Sequence, residues 1–381
     1  MDITISTEQD ILRTSVAGYL AKHYDLDASR DAASSAVGWQ PEVWRAFADE
    51  LGILGLALPS DGDNGCSSHA EEVMVVVEEL GRALVVEPFI GTVVLGGALL
   101  RGAQYECAQK VLTRIAAGDE RVAFASDEPN SYPSGHDVTV TADWNDEEWI
   151  INGTKAAVLD APLATQLIIS ARTAGDRRDT EGLALFMLDF DSEHPPEGVE
   201  VHNYRTIDDR QASDLVFTGL PLSADALITA PGNAWKLIAR ARDEATAAVC
   251  AEAVGLLRTV LADTVSYAKL RKQFEQPIGS FQALQHRMVD MHIEVERSAA
   301  AAHLATSQLD AEASMRARAV SAAKATINEA AKFVGESAVQ LHGAMGMTQE
   351  LRLSHYFKRL TALQTEWGTT DDHNRRYALL S

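Results

Sequence analysis

The sequence predicts an α+β chain in which a helical segment, a segment of short strands and a second helical segment follow one another. Three observations predict it. Apolar residues recur at helical spacing up to about Gly118. From Val122 to about Leu227 they come in short runs or alternate with polar residues, divided by Gly-, Pro- and Asp-rich turns. Helical spacing returns after Pro231-Gly232 and persists nearly to Ser381. The 381 residues suffice for two or three domains around a large core. The expected division is an N-terminal helical domain over 1–121, a middle antiparallel β-domain over 122–228 and a C-terminal helical bundle over 229–381.

Taken in order, Ser6 and Gln9 have the spacing of a capping box, so a first helix starts there and runs through Tyr19. Helical patterns follow over Trp44–Leu54, Glu71–Leu84 and Thr92–Arg101, with a loop from Pro59 to Gly65 between them. In the middle segment, Val138 and Val140 alternate with polar neighbours. Trp149-Ile150-Ile151 runs into Asn152-Gly153, the strongest short hairpin signal. Gln166–Ser170, Leu183–Leu188 and Asp214–Phe217 read as further strands. In the last segment Val320, Ile327, Val334 and Leu341 keep a seven-residue spacing, as in helices packed side by side.

Composition narrows the function. Hydrophobic residues make up 46% of the chain, as in a globular protein. Lys and Arg number 33 against 55 Asp and Glu, a formal net charge of -22. That balance disfavours nucleic acid and anionic membrane surfaces as partners. An anionic cofactor must then be held by a local basic patch, and Arg271-Lys272 is one. The start of the chain lacks a basic region followed by an apolar run, so no signal peptide is expected. No stretch is expected to span a membrane. Cys66, Cys107 and Cys250 are widely spaced, without the pattern of a zinc site or disulfide framework, and read as reduced thiols of a cytoplasmic protein.

The run from Tyr267 to Gln282 stands out. Val249, Ala253, Leu256, Val260 and Tyr267 place one apolar face on the helix that leads into it. Two cations then sit beside Phe274, Pro277 and Gly279 stop the helix, and a second helix starts near Ser280 with Gln282 in its first turn. Such a turn suits a dinucleotide: Arg271 pairs with diphosphate through its rigid fork, Phe274 lies against a purine and Gln282 reads a polar edge. The plainer reading makes the cations a complement to the helix dipole and Phe274 a core plug.

This stretch resembles the RK-x-F-x-x-P-I-x-x-F-Q signature of the flavin-dependent acyl-CoA dehydrogenases. A second block, Gln340-Leu341-His342-Gly343-Ala344-Met345-Gly346, is similar to the family's Q-x-x-G-G-x-G segment, with Ala344 at the second glycine. The resemblance covers nearly the whole chain. It implies the acyl-CoA dehydrogenase fold, with a four-helix bundle at the C-terminus. It also implies FAD as cofactor, contacted by Arg271, Gln273, Phe274, Phe281, Gln282, Gln340, Gly343 and Ala344. The reaction it implies is removal of an acyl-CoA α-proton by a carboxylate while the β-hydrogen leaves as hydride to the flavin, giving a trans-2-enoyl-CoA. Electron-transfer flavoprotein is the implied acceptor.

Several positions depart from the family. The usual base lies in a Y-E-G-T segment, and the matching Gln364–Thr369 puts Trp367 there, with Glu366 one residue early and turned elsewhere. A minority of the family carries the base on the first long helix of the C-terminal domain. That position falls on Ala245, so Glu244 is the candidate base after a small register shift; the other reading is a solvated charge at a helix start. The family's T-E-P-x-x-G-S-D flavin-ring loop becomes Asp127-Glu128-Pro129-Asn130-Ser131-Tyr132-Pro133-Ser134, and Ala157 stands where a flanking Trp is usual. The resemblance implies that the Arg271 and Gln340–Gly343 regions serve a neighbouring subunit's FAD, whereas the ring loop and base serve the chain's own. The chain keeps the first set and loses the second. That pattern, with His355-Tyr356-Phe357-Lys358-Arg359-Leu360, resembles one subunit of the α2β2 dehydrogenases of actinobacterial steroid catabolism and the small subunit of pimeloyl-CoA-type enzymes. The implied partner is a second dehydrogenase-like subunit and the implied substrate a bulky acyl-CoA. A self-sufficient homotetramer using Glu244 and a scaffold without redox role are the alternatives.

Overall fold

The structure, a computed structural model, describes residues 6–35, 37–59, 69–103, 105–132, 135–229, 232–348 and 350–380. The expected loop beyond Pro59 and Cys66 lie outside these residues.

The capping box forms as expected. Ser6 Oγ accepts from Gln9 N, and the Gln9 side chain accepts from Ser6 N. Helix α1 (Thr7–His23) runs four residues past Tyr19. Then come α2 (Leu26–Ser34), α3 (Pro41–Asp49) and α4 (Ala70–Ala83). A buried π-helical turn over Ile90–Gly96 leads into α5 (Gly97–Arg101), and α6 (Glu106–Ala116) follows. The helix expected over Trp44–Leu54 is shorter, because Gly52 takes a left-handed conformation (φ 65°) and the chain continues as a 3-10 turn over Ile53–Ala57.

The middle segment forms one sheet from β1 (Val122–Ala125), β2 (Thr141–Trp144), β3 (Trp149–Leu159), β4 (Gln166–Arg172), β5 (Leu183–Asp189), β6 (Val199–Arg205), β7 (Gln211–Leu222) and β8 (Leu227–Thr229). The strand order is β6-β7-β3-β2-β4-β5-β8, with β1 beside β4. The sheet is mixed, which corrects the antiparallel expectation: β1 pairs with β4 in parallel, Val122 opposite Gln166. Parallel neighbours need a crossover, and 40 residues, including a hairpin, separate these two strands. The hairpin expected at Asn152-Gly153 is also corrected. Those residues lie inside β3 at a register irregularity against β7, where Gly153 (φ 131°) packs on Val140. The turn between β2 and β3 is Asn145–Glu148, which Asn145 caps through its side chain and Asp146 passes with φ 78°. Val138 and Val140 are buried on either side of exposed Thr139, but as irregular extended chain rather than a strand.

Helix α7 (Ala234–Leu270) is longer than any other described helix. Its residues 241–257 are all buried, so the single apolar face expected there is a helix enclosed on every side. This also corrects the expectation about span length. An 18-residue window of α7 has mean hydropathy 1.5, enough to cross a membrane by length and composition, yet 83% of it is buried by the protein. The helices α8 (Gln282–Ser307), α9 (Ala313–His342), α10 (Leu353–Leu363) and α11 (Thr370–Leu379) complete the chain. α9 packs against α8, α10 and α11, and its residues Val320, Ile327, Val334 and Leu341 are buried, as their spacing predicts.

The chain divides into two compact units. The first comprises Met1–Ser29, Ala70–Val85 and Thr246–Ser381; the second comprises Arg30–His69 and Val86–Ala245. Within the first, α4 and α7 approach until only glycine fits. A Cβ on Gly255 would collide with the Glu78 carbonyl, and one on Gly81 with the Glu252 carbonyl.

Candidate functional site

In the first unit, α7 ends at Leu270, so Pro277 is not its terminator. Arg271 N still donates to Tyr267 O, and Arg271 O accepts from Ile278 N, both at 2.8 Å. Between them lies a small hairpin, β9 (Lys272–Gln273) against β10 (Gln276–Pro277). Phe274 and Glu275 both take positive φ (53° and 67°), as a two-residue I′ loop requires. Phe274 is 86% exposed, which removes the core-plug reading, and its ring meets Phe281 edge-on at 6.1 Å. A 3-10 turn over Ile278–Ser280 then delivers Gln282 as the first residue of α8.

The hairpin meets the second motif through one ring pair. Tyr267 stacks on His342 with centroids 4.2 Å apart, and its hydroxyl donates to His342 O at 3.4 Å. His342 ends α9, and Gly343 follows with φ 64° and open space where a Cβ would project. Arg271, Lys272, Gln273, Gln282, Gln340, Gly343 and Ala344 are all exposed, and Phe281 is half-buried. The Arg271 guanidinium takes no carboxylate partner among the described residues. An unpaired fork, an accessible ring and an open glycine turn on one surface fit the phosphate side of a dinucleotide.

The ring-loop positions lie in the second unit. Glu128 is structural. Its carboxylate accepts from Lys155 Nζ (2.7 Å), from the Thr139 backbone (2.7 Å) and hydroxyl, and from Val140 N (3.1 Å). Lys155 is fully buried and also donates to Ser126 O and Ser170 Oγ. Burial lowers its pKa against the pull of Glu128. Burial pushes the Glu128 carboxyl up, but Lys155 and Thr139 outweigh that and hold it below its ordinary value. Ala157 passes with φ 51°, its N–H donating to Asp214. Of the substituted loop, Tyr132 is exposed and donates from its backbone to Asp137 (2.9 Å), whereas Pro133 and Ser134 lie outside the described residues.

Glu244 is buried, which removes the solvated-charge reading. Arg101 Nη2 reaches Oε2 at 2.5 Å and Arg240 Nε reaches Oε1 at 2.9 Å. Both oxygens are thus committed to cations. Nothing in the sequence marked Arg101, 143 positions away, as its partner. Glu366 points to Arg359 Nη1 at 2.8 Å, and Arg359 also holds Glu252 through two bonds. Trp367 takes φ 62°.

The Gln364–Gly368 turn rests on Lys324, a residue the sequence reading passed over. Its amine donates to Asn328 Oδ1 and Leu363 O, both at 2.6 Å. Burial lowers its pKa from 10.5 to about 8, against Cys250 and Glu366. Between those two values the unfolded chain binds more protons here than the folded one, so stability from this group rises with pH across that window. The stability difference between the native protein and Lys324→Met should therefore move in the native protein's favour from pH 7.5 to 10, by at most about 3 kcal/mol. A constant difference across denaturant titrations at the two pH values would remove the claim.

Comparison with known proteins agrees with this architecture. The family descriptions "Acyl-CoA dehydrogenase, N-terminal domain", "middle domain" and "C-terminal domain" match residues 6–119, 123–220 and 233–378. Acyl-CoA dehydrogenase IpdE2 of Mycolicibacterium smegmatis is 28% identical over 355 residues, 93% of each chain. A solved Tcur3481-Tcur3483 steroid ACAD superposes with TM-score 0.84 at 25% identity, covering 98% of this chain and 97% of its own. The ChsE4-ChsE5 complex from Mycobacterium tuberculosis superposes with TM-score 0.85 at 23% identity, covering 100% and 98%. The chain belongs to the acyl-CoA dehydrogenase family. FAD is the cofactor of that family.

Proposed function

We propose that this chain is one subunit of an α2β2 acyl-CoA dehydrogenase, which forms trans-2-enoyl-CoA from a bulky, steroid-type acyl-CoA in the cytoplasm. The observation that carries the reading is an asymmetry. The residues suited to the phosphate side of FAD are kept, Ala344 at the family's second glycine apart, and all but half-buried Phe281 are exposed, whereas those suited to the ring side are substituted. FAD, when bound, accepts the hydride, which no side chain can do. In this reading Arg271, Gln273, Phe274, Phe281, Gln282, Gln340, Gly343 and Ala344 hold the phosphate side of an FAD whose ring the partner chain holds. The steroid-type substrate is supported by the description of the Tcur3481-Tcur3483 neighbour, which also carries two chain names. Electron-transfer flavoprotein is the acceptor in the same scheme.

Glu244 is then an anchor and the base belongs to the partner. A base must turn a lone pair to the α-hydrogen, and two guanidinium groups occupy both Glu244 oxygens. Flavin absorbance with native mass measurement tests the scheme. The chain alone should be colourless, and co-expression with its partner should give a heterotetramer with one FAD per αβ pair. Glu244→Gln in that pair should still allow substrate to bleach the flavin. A homotetramer of this chain carrying four FAD would overturn the reading, as would loss of bleaching in an intact Glu244→Gln pair.

A further inference from the structure

In the second unit, one cluster brings together two positions that the resemblance assigns to the flavin ring. Asp127 stands at the family's Thr and Ala157 at its Trp, and Gly135 follows the loop that begins at Asp127. The Ala156 N–H donates to Asp127 O at 2.8 Å, which brings the first two positions together. Arg242, from α7, lies against the same place. Its Cδ is 2.8 Å and its Nε 3.1 Å from the point a Cβ on Gly135 would occupy. Gly135 has φ 82°, so a residue without a side chain is needed there twice over, for the backbone and for the arginine. Arg242 Nη1 is 3.5 Å from Asp127 Oδ1, and its side chain is 10% exposed. A flavin ring has polar edges as well as flat faces, so it is the volume of a side chain in its place, more than the charge, that opposes it. Here the space beside Gly135 holds a cation facing a carboxylate.

We propose that Arg242 is a built-in plug: facing Asp127 and lying on Gly135, it fills this chain's own flavin-ring pocket and limits the assembly to one FAD per αβ pair. The inference rests on the functional reading above and extends it to the empty half of each pair. Loss of pocket residues would only weaken ring binding. A side chain packed there must in addition be displaced before a ring can bind. Arg242 is thereby a specificity residue for cofactor number, with no part in the chemistry.

Lumiflavin, the ring without its phosphate-bearing tail, tests the plug directly, because it needs none of the Arg271-side contacts. The co-expressed pair is saturated with FAD and titrated with lumiflavin, followed by fluorescence quenching. The native pair should bind no lumiflavin beyond its FAD. Arg242→Ala should bind one more ring per αβ pair, at least about tenfold more tightly than any residual native binding, a gain of about 1.4 kcal/mol. If the alanine variant does not assemble, Arg242→Gln reads the same quantity with a shorter polar side chain. No gain in the assembled variant overturns the plug, and so does a native pair that already takes a second ring. The native FAD count is read first: four FAD on a homotetramer ends the functional reading, whereas one FAD per pair without a lumiflavin gain ends the plug alone.

Discussion

Lys155→Met is expected to destabilise the protein by about 3–5 kcal/mol, because it removes one partner of a buried ion pair and leaves the other. Lys155 is 0% exposed, and the Glu128 side chain is 1% exposed. Without the ammonium, Glu128 either stays charged in an apolar interior or takes up a proton. It then loses strength as acceptor for Thr139 and Val140, which tie the ring loop to the chain before β2. Met keeps the length of the side chain, so the loss is electrostatic rather than a cavity. The double variant Lys155→Met/Glu128→Leu should recover a large part of the stability, since an apolar pair replaces a buried charge pair with little penalty. Denaturant unfolding of the three proteins decides it. A single variant within about 0.5 kcal/mol of the native protein would show that water reaches this pair.

The other large effect is functional and rests on the function proposed above. In the assembled pair, Arg271→Ala should weaken FAD retention by about tenfold or more, since a charge-assisted bidentate diphosphate contact contributes about 1.5–3 kcal/mol. The fold should hardly notice, because Arg271 is exposed and pairs with no carboxylate among the described residues. Arg271→Lys should fall between, keeping the charge but losing the fork. Flavin-to-protein absorbance and an FAD titration of the deflavinated pair measure both. Unchanged affinity in the alanine variant would take Arg271 out of the site.

What the sequence disclosed follows from how local each signal is. The Ser6 capping box and the seven-residue spacing of α9 depend on neighbours within one or two turns, and both appear as read. The Asn152-Gly153 hairpin failed although its signal is local. The pair can also serve a bulge inside a long strand, and pairing with β7 decided the matter. The parallel placement of β1 beside β4 joins segments with 40 residues between them and leaves no local mark. The site divided in the same way. Arg271, Phe274 and Gln282 share one turn and were legible together. Partners such as Arg101 for Glu244, Lys155 for Glu128 and Arg242 for Gly135 come from distant elements, and only the folded chain brings them into contact. The buried course of α7 was partly hidden because its charged residues broke the apolar pattern. Several of them, Glu244 and Glu252 among them, prove to be buried and neutralised by arginines.

The exposed hairpin has a consequence for the life of the chain before assembly. Leu270 and Phe274 are 80% and 86% exposed, and Met345 and Met347 of the turn after α9 are 52% and 60% exposed. Apolar surface of this kind favours association with whatever other apolar surface is at hand. If the proposed counterpart covers this surface, a copy synthesised ahead of it carries the surface bare, and its loss to aggregates grows with the time it waits. On the reading proposed here, the two chains have to be made in equal numbers and close together. An excess of this chain should accumulate as sediment rather than as a reserve.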